Sequence, residues 1–534
     1  MSRFNTRAAA AAGTSPVTTT GQATSTFEGG AGFLRDAKSE LFLLAVANFV
    51  AADAFYEKGG DRDDRYTRLV RRLAVEDPEW TAGLLGWLRG EGNMRTAALV
   101  GAAEFTRARL DAAAPGRSRQ VVDSVLQRPD EPGELLAYWT GRYGRNLPKP
   151  VKRGVADAVR RLYHERALLK YDSGSKGYRF GDVLELVHAA PAADKAWQGE
   201  LFKHAIDRRH GRGDDVPVSL RTVRSRDELF ALPVEQRRAV LSAPDGVDRL
   251  SAAGVTWEAL AGWLQGPMDA EAWEAVVPSM GYMATIRNLR NFEEAGVSES
   301  VLQAVCERLA DAEQVARSRQ LPFRFWSAYK HTNGTRFADA LERALNHSLK
   351  NIPELPGRSL VLVDTSASMT SGVFARRSHM TPVQAGALFG VALAARNPGR
   401  TDLFGFASGE FPHPVRAGAS VLRETERFIG RVGEVGHGTD IHGAVQRQAV
   451  QSRTPYDRVF IISDMQTIGG HHGAGVDQLP RSTAVYGFNL GGYQQAMLAT
   501  GSADRHELGG LSDATFRQVP LLERGGSADW PWIR

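Results

Sequence analysis

Residues 359–363 (SLVLV) are a Val- and Leu-rich run set off by Pro356-Gly357 and closed by Asp364-Thr365-Ser366-Ala367-Ser368. A short apolar run bounded by turn residues reads as a strand buried on both faces, which is how strands of parallel sheets appear. Upstream, from about 28 to 350, apolar residues recur at three- and four-residue spacing, in segments such as 39–55, 65–75, 80–89, 150–169 and 271–277. Short Gly, Pro and Asp turns separate them, so successive helical hairpins are predicted, as in an α-solenoid or a ring of packed helix pairs. Downstream, further strand patterns at 402–407, 458–462 and 482–488 alternate with amphipathic segments at 381–396, 420–431 and 441–451. That alternation predicts a doubly wound α/β domain.

Ligands of such sheets gather beyond the carboxyl ends of the strands. One carboxylate and two hydroxyls presented there form a hard, all-oxygen donor set, suited to Mg2+ or another divalent cation of that type rather than to zinc. Two later segments add oxygens. Gly436-His437-Gly438-Thr439-Asp440 is a Gly-flanked turn before a helical pattern, and the apolar run at 458–462 ends at Ser463-Asp464. The order D-x-S-x-S, G-T-D, then S-D at a strand end resembles the metal-ion-dependent adhesion site of von Willebrand factor type A domains. The resemblance implies a metal site made by Asp364, Ser366, Ser368, Thr439 and Asp464. A phosphatase of the haloacid-dehalogenase type needs a second Asp at position 366, where this chain has Ser. His437, His442, His471 and His472 lack the spacing of a zinc scaffold.

With 43% hydrophobic and 24% charged residues, the chain of 534 residues has the composition of a folded protein. One cysteine, Cys306, excludes an intrachain disulfide and multi-cysteine zinc sites. The apolar stretch 41–47 is too short to span a membrane and is expected as a buried helix; no signal peptide is read, so a cytoplasmic location is expected.

The net charge of +5 is unevenly spread: Arg142, Arg145, Lys149, Lys152, Arg153, Arg160, Arg161, Arg166, Lys170, Lys176 and Arg179 face only Asp157, Glu165 and Asp172, so this window alone exceeds the total. Tyr138, Trp139, Tyr143, Tyr163, Tyr171 and Tyr178 are interleaved with them. Cations that neutralise phosphates and aromatic faces that stack on unpaired bases suit RNA with single-stranded parts; a solvated helix face over an aromatic core gives the same pattern. A second basic cluster, Lys203, His204, Arg208, Arg209, His210 and Arg212, reads as an exposed loop.

An all-helical basic region followed by a type A domain is similar to the Ro autoantigen family, whose helical part is the TROVE module. The likeness is carried by Glu40-Leu41-Phe42-Leu43 through Phe55-Tyr56-Glu57, Tyr143-Gly144-Arg145, Lys152-Arg153-Gly154-Val155-Ala156-Asp157, and Leu169-Lys170-Tyr171. Asp182-Val183-Leu184-Glu185-Leu186-Val187-His188, Met283-Ala284-Thr285-Ile286-Arg287-Asn288-Leu289 and Leu321-Pro322-Phe323-Arg324 continue it. The resemblance implies a multidomain chain: a disordered tail at 1–25, a HEAT-like helical ring at 26–355, a type A-like domain at 356–500, and a C-terminal segment at 501–534 packing on the domains. It also implies a monomeric, cytoplasmic ribonucleoprotein without catalysis, which holds a small noncoding Y-like RNA on its outer basic surface. Single-stranded 3′ ends of structured or misfolded RNA would enter a central hole, and in some bacterial relatives the Y RNA bridges to an exoribonuclease. Such a protein serves RNA quality control, maturation or decay. The RNA-contacting residues carried over are Arg142, Arg145, Lys149, Lys152, Arg153, Lys170, Lys176, Arg179 and His188, with Arg287 and Arg290 assigned to the hole. Two rivals remain: a Mg2+-dependent protein-interaction module that binds no RNA, and a Mg2+-dependent nuclease or phosphatase.

Overall fold

The computed structural model describes residues 13–47, 53–175, 177–212, 215–332, 335–371, 380–452, 454–469, 475–502, 504–510 and 513–533. Lys176, His471 and His472 lie outside the described residues. The chain divides into two units: residues 74–319 with 330–341, and residues 1–73 with 320–329 and 342–534. These bounds differ from the expected division at 355, because the N-terminal segment groups with the C-terminal sheet. No helix among the described residues is long and apolar enough to cross a membrane.

The first unit has no strand among its described residues. Its helices stack on near neighbours in sequence: Pro78–Arg89 on Arg95–Asp111, that helix on Ser118–Val125, then Lys149–Leu162, Phe180–Val187 and Ala196–Arg209 in turn. Each helix buries one stripe, as expected of a solenoid-type repeat. In Lys149–Leu162 the stripe is Val151, Val155, Ala158 and Val159, while Lys149, Arg153 and Arg161 face solvent. The expected helix at 150–169 is two helices, Lys149–Leu162 and Glu165–Tyr171. His164 has extended backbone at the break, and its Nδ1 accepts from Ala167 N at 3.3 Å, which caps the second helix. The basic cluster read as a loop is largely helical too, since Lys203, His204, Arg208 and Arg209 belong to Ala196–Arg209.

The second unit is built on a six-stranded sheet. In chain order its strands are β3 (Ser359–Asp364), β4 (Thr401–Phe406), β5 (Glu410–Pro412), β6 (Arg458–Ser463), β7 (Ala484–Asn489) and β9 (Arg505–Gly509), arranged β5-β4-β3-β6-β7-β9. All neighbours are parallel except β4 and β5. Every residue of β3 and β6 is buried, as the apolar runs predicted. The crossover helix Pro382–Arg396 lies so close to β3 that a Cβ on Gly390 would come within 2.6 Å of Val363 Cγ2, so only glycine fits there.

The chain steps from β3 outward to β4 on one side and returns to β6 on the other. The carboxyl ends of β3 and β6 therefore form the topological switch point of the sheet, where α/β folds place their ligands. Two strands near the N-terminus, β1 (Thr19–Ser25) and β2 (Ala31–Arg35), pair antiparallel, and β2 also pairs with β8 (Gln495–Ala496). The expected disordered tail is thus corrected over 19–25. These polar residues hold as a strand because β2 pairs with them and the hydroxyls of Thr19 and Thr20 donate to the carbonyls of Thr500 and Leu34, while Thr18 just before the strand is anchored on Ser39 and Asp36. Behind β2, the Arg35 guanidinium meets the Glu507 carboxylate of β9 in a pair with no solvent exposure at either side chain. Residues 41–47 are buried in the helix Ala37–Ala47, as expected. Trp530 and Trp532 of the C-terminal segment pack on Phe42 of that helix, at 5.3 and 6.1 Å between ring centroids.

Candidate metal centre and candidate RNA interface

Asp364 is the last residue of β3, and its chain turns at once into the helix Ala367–Ser371. Its Oδ1 accepts from Ser366 N at 2.8 Å and its Oδ2 from Ser463 Oγ at 2.5 Å, which ties the ends of β3 and β6 together. Ser366 Oγ and Ser368 Oγ are 3.1 Å apart. Asp464 follows β6; its Oδ1 accepts from Gln466 N at 3.1 Å, while its Oδ2 is buried with no hydrogen-bond partner. The next residue, Met465, is fully buried with φ 63°, a strained conformation for a non-glycine residue, and such strain is concentrated at ligand sites.

Thr439 is buried between the two loops. Ala367 N donates to His437 O at 3.0 Å on one side, and Ile468 N donates to Thr439 O at 2.9 Å on the other. Five of five sequence-assigned residues, Asp364, Ser366, Ser368, Thr439 and Asp464, thus sit buried at one end of the sheet. Asp440 has other work: its Oδ1 accepts from Gly443 N and its Oδ2 pairs with Arg447, so it caps the helix Ile441–Val445.

The electrostatics favour a cation. Burial raises Asp364 above the ordinary carboxylate range, up to about 6, and raises Asp464 further, up to about 8, with the Asp364 charge adding to the effect. Two buried carboxylates side by side, one with an orphaned oxygen, beside three hydroxyls, fit a hard divalent ion such as Mg2+. Among the described residues no group of three or more His, Cys, Asp or Glu side chains converges, so a nitrogen- or sulfur-rich centre has no support there. Sequence reading missed three residues around this site. Glu28, Tyr56 and Tyr493 bring a carboxylate and two phenols close enough for their charge or hydroxyls to act on Asp464 or Ser368.

The basic residues of the other unit separate into two kinds. Arg145, Lys149 and Arg153 are exposed and Lys152 half-exposed, and none of the four has an ion-pair partner among the described residues. They cluster on and just before the helix Lys149–Leu162. Arg142 instead reaches Glu104 at 3.2 Å, a buried carboxylate that also accepts from the hydroxyls of Tyr138 and Tyr143. Arg179 pairs with buried Asp172 at 2.8 Å, and that pairing raises its already high pKa. Asp172 also accepts from Phe180 N at 2.8 Å, so Arg179 helps hold the start of Phe180–Val187.

Lys170 lies over the Tyr171 ring at 5.3 Å, and His188 is exposed at the end of Phe180–Val187 in a left-handed conformation, φ 53°. Arg287 is exposed and Arg290 pairs with Glu294 one helical turn on. The second basic cluster is largely paired, through Lys203 with Asp207, Arg209 with Asp182 and His210 with Glu185. Of the interleaved aromatics, Trp139 and Tyr163 are core. Tyr171 and Tyr178 remain half-exposed, flanking a cleft lined by Pro129, Gly133 and Phe180.

A model of the TROVE domain matches residues 252–334, a span that includes the Met283-to-Leu289 and Leu321-to-Arg324 stretches. The chain is 25% identical over 354 residues to RNA-binding protein RO60 of Deinococcus radiodurans; the alignment covers 61% of this chain and 62% of that protein. The crystal structure of the Deinococcus radiodurans RO (RSR) protein superposes with a TM-score of 0.61 over 92% of this chain and all of that one, at 21% identity. That likeness carries the fold, a helical repeat followed by a type A-like α/β sheet. A TROVE match, a related sequence and a common fold together make this chain similar to the Ro proteins.

Proposed function

We propose that the protein is a non-catalytic RNA-binding scaffold of the Ro type. The observation that carries this reading is the group Arg145, Lys149, Lys152 and Arg153, four cations on one short stretch with no carboxylate partner among the described residues. Unpaired cations at close spacing give salt-dependent phosphate affinity, because each phosphate neutralised releases condensed counterions. The half-exposed Tyr171 and Tyr178 supply faces on which unpaired bases can stack. The name of the related Deinococcus radiodurans protein supports RNA as the partner.

In this reading a Y-like RNA lies on the outer basic surface, while single-stranded 3′ ends enter a central hole near Arg287 and Arg290. Duplex RNA is too wide to thread such a hole, so selection is by strand end. The metal site, holding Mg2+ through Asp364, Ser366, Ser368, Thr439 and Asp464, serves protein contact, of which an exoribonuclease is one candidate. Two carboxylates around the site argue against two-metal phosphoryl transfer, which uses several.

The test is binding of a hairpin RNA with and without an unpaired 3′ tail, over a salt series, with the RNA checked for cleavage in Mg2+. Tight, salt-sensitive binding that needs the tail and leaves the RNA intact is expected. Tail-independent weak binding would overturn the RNA reading, and cleavage lost in Asp364→Ala would make the protein an enzyme.

A further inference from the structure

The cleft flanked by Tyr171 and Tyr178 opens between the helix Glu131–Tyr143 and the loop that follows Glu165–Tyr171. Its volume is about 50 Å3, a third of the roughly 150 Å3 that encloses a benzene ring, so it admits the edge of a planar ring and not a whole one. Tyr163 lines it. That ring is 2% exposed and stacks on Phe180 with centroids 3.7 Å apart and planes 8° from parallel, and its hydroxyl is buried with no hydrogen-bond partner among the described residues. Burial, with the charges of Asp172 and Asp130 adding to it, holds the phenol well above its ordinary pKa, so the hydroxyl keeps its proton. A buried O–H without an acceptor is costly, and one that lines a cleft calls for a partner from outside the fold.

The cleft adds acceptors and two ring faces. Asp130 and Glu134 line it, and each already has a cation: Arg128 donates to both oxygens of Asp130 at 2.6 Å, and Arg95 pairs with Glu134. An entering ammonium would find these charges already answered, whereas a neutral N–H still finds lone pairs, because a carboxylate offers about four. Tyr178 is fixed in place. Its hydroxyl donates to Thr140 Oγ1 at 2.9 Å, and its carbonyl packs so close to the helix that a Cβ on Gly133 would come 3.0 Å from it. Lys170 lies over the Tyr171 ring at 5.3 Å, which leaves a cation beside that face for a phosphate. A planar ligand can thus stack on a half-exposed tyrosine while its edge meets one O–H donor and two carboxylate acceptors. On its pairing edge cytosine sets a ring acceptor beside an exocyclic amino donor, and adenine does the same; uracil puts a carbonyl where that amine stands, which carboxylates repel.

We propose that this cleft is a base-reading subsite: it takes the pairing edge of one unpaired cytosine or adenine, with Tyr163 donating to the ring nitrogen and the Asp130 and Glu134 carboxylates accepting from the amino group, and it rejects uracil. The inference rests on the RNA reading above and gives it a base preference, which phosphate contacts do not supply.

The full-length protein is titrated at neutral pH and fixed salt with short single-stranded oligo(C) and oligo(U), whose rings are of one size, so that the edge is what differs. The natural chain should bind oligo(C) about tenfold tighter than oligo(U), within what one base-edge contact discriminates. Tyr163→Phe keeps the ring stack, removes only the hydroxyl, and should cut that ratio several-fold. Glu134→Ala, at a half-exposed position, should lower the ratio as well, and gives the answer if Tyr163→Phe fails to fold. A thermal melt separates a binding hydroxyl from a structural one: Tyr163→Phe should melt no lower than the natural chain, since the hydroxyl has no partner in the fold to lose. Equal affinity of the natural chain for the two RNAs, or a ratio unchanged in the variants, would overturn the proposal, and so would a Tyr163→Phe chain that melts lower while keeping its ratio. If the natural chain binds neither RNA at low salt, the RNA reading itself fails and this proposal falls with it.

Discussion

Substituting Arg35 by Met should be among the most damaging single changes available in the sheet-bearing unit. The guanidinium donates from Nε to Glu507 Oε2 at 2.7 Å, from Nη2 to Glu507 Oε1 at 2.5 Å, and from Nη1 to the carbonyls of Tyr493 and Gln494 at 2.6 and 3.0 Å. Both side chains have zero exposure. Met fills much of the same volume but leaves Glu507 with only Asn489 Nδ2 as a donor, at 2.8 Å, and strands two carbonyls. Breaking a buried pair by removing one partner costs about 3–5 kcal/mol, because a charge is left uncompensated. Amide exchange of residues 19–35, followed by mass spectrometry, reads the opening of the β1–β2 pair directly. That range corresponds to roughly two to four orders of magnitude in the opening constant. The double variant Arg35→Met/Glu507→Met should recover much of the loss, since removing both charges leaves nothing unpaired. An Arg35→Met chain whose opening free energy stays within about 1 kcal/mol of the natural one, or a double variant worse than the single, would refute the account.

Other outcomes follow from the two sites. Because Asp364 and Asp464 titrate up to about 6 and about 8, a divalent ion must displace protons at neutral pH. Mg2+ affinity should therefore rise from pH 5.5 to 8.5 with proton release measurable by calorimetry in buffers of different ionisation enthalpy, and Asp464→Asn should flatten the profile. The same raised values mean that, without metal, this pair contributes stability below the ordinary carboxylate range and loses it as pH rises through about 6 and about 8. Added Mg2+ should oppose that fall in thermal unfolding. Replacing Arg145, Lys149, Lys152 and Arg153 together by Ala should lower the slope of log affinity for single-stranded RNA against log salt by up to about 3, at roughly 0.7 per phosphate contact, without loss of stability. Arg179→Ala should do the reverse, destabilising the fold through buried Asp172 while leaving the salt slope nearly unchanged.

The parts of this fold that sequence discloses are those whose determinants are local. β3 and β6 declare themselves because a strand buried on both faces must be apolar along its length, and the D-x-S-x-S and S-D endings ride on them. The same logic fails for β9, Arg-His-Glu-Leu-Gly, which looks like a polar loop. Its His506 and Glu507 are nonetheless buried, since Glu507 is neutralised by Arg35, a residue 472 positions away. β1 is hidden for the same reason, as Thr-Thr-Gly-Gln-Ala-Thr-Ser becomes a strand only where β2 and the neighbouring polar groups receive it.

Charge carries the general lesson. In sequence, Arg153 and Arg179 are equivalent members of one basic window, and the structure divides them: the first has no carboxylate beside it among the described residues, the second is spent on Asp172. Glu28 inverts the case, for in sequence it is an unremarked acid before a Gly-Gly turn, and only the docking of that turn on Gln466 and Thr467 brings it beside the loop that carries Asp464. A charged residue's role is set by which opposite charge the fold places against it. The residues to test first for function are therefore the quartet at 145–153 for phosphate, whose charge no carboxylate among the described residues answers, and the buried pair Asp364 and Asp464 for a cation.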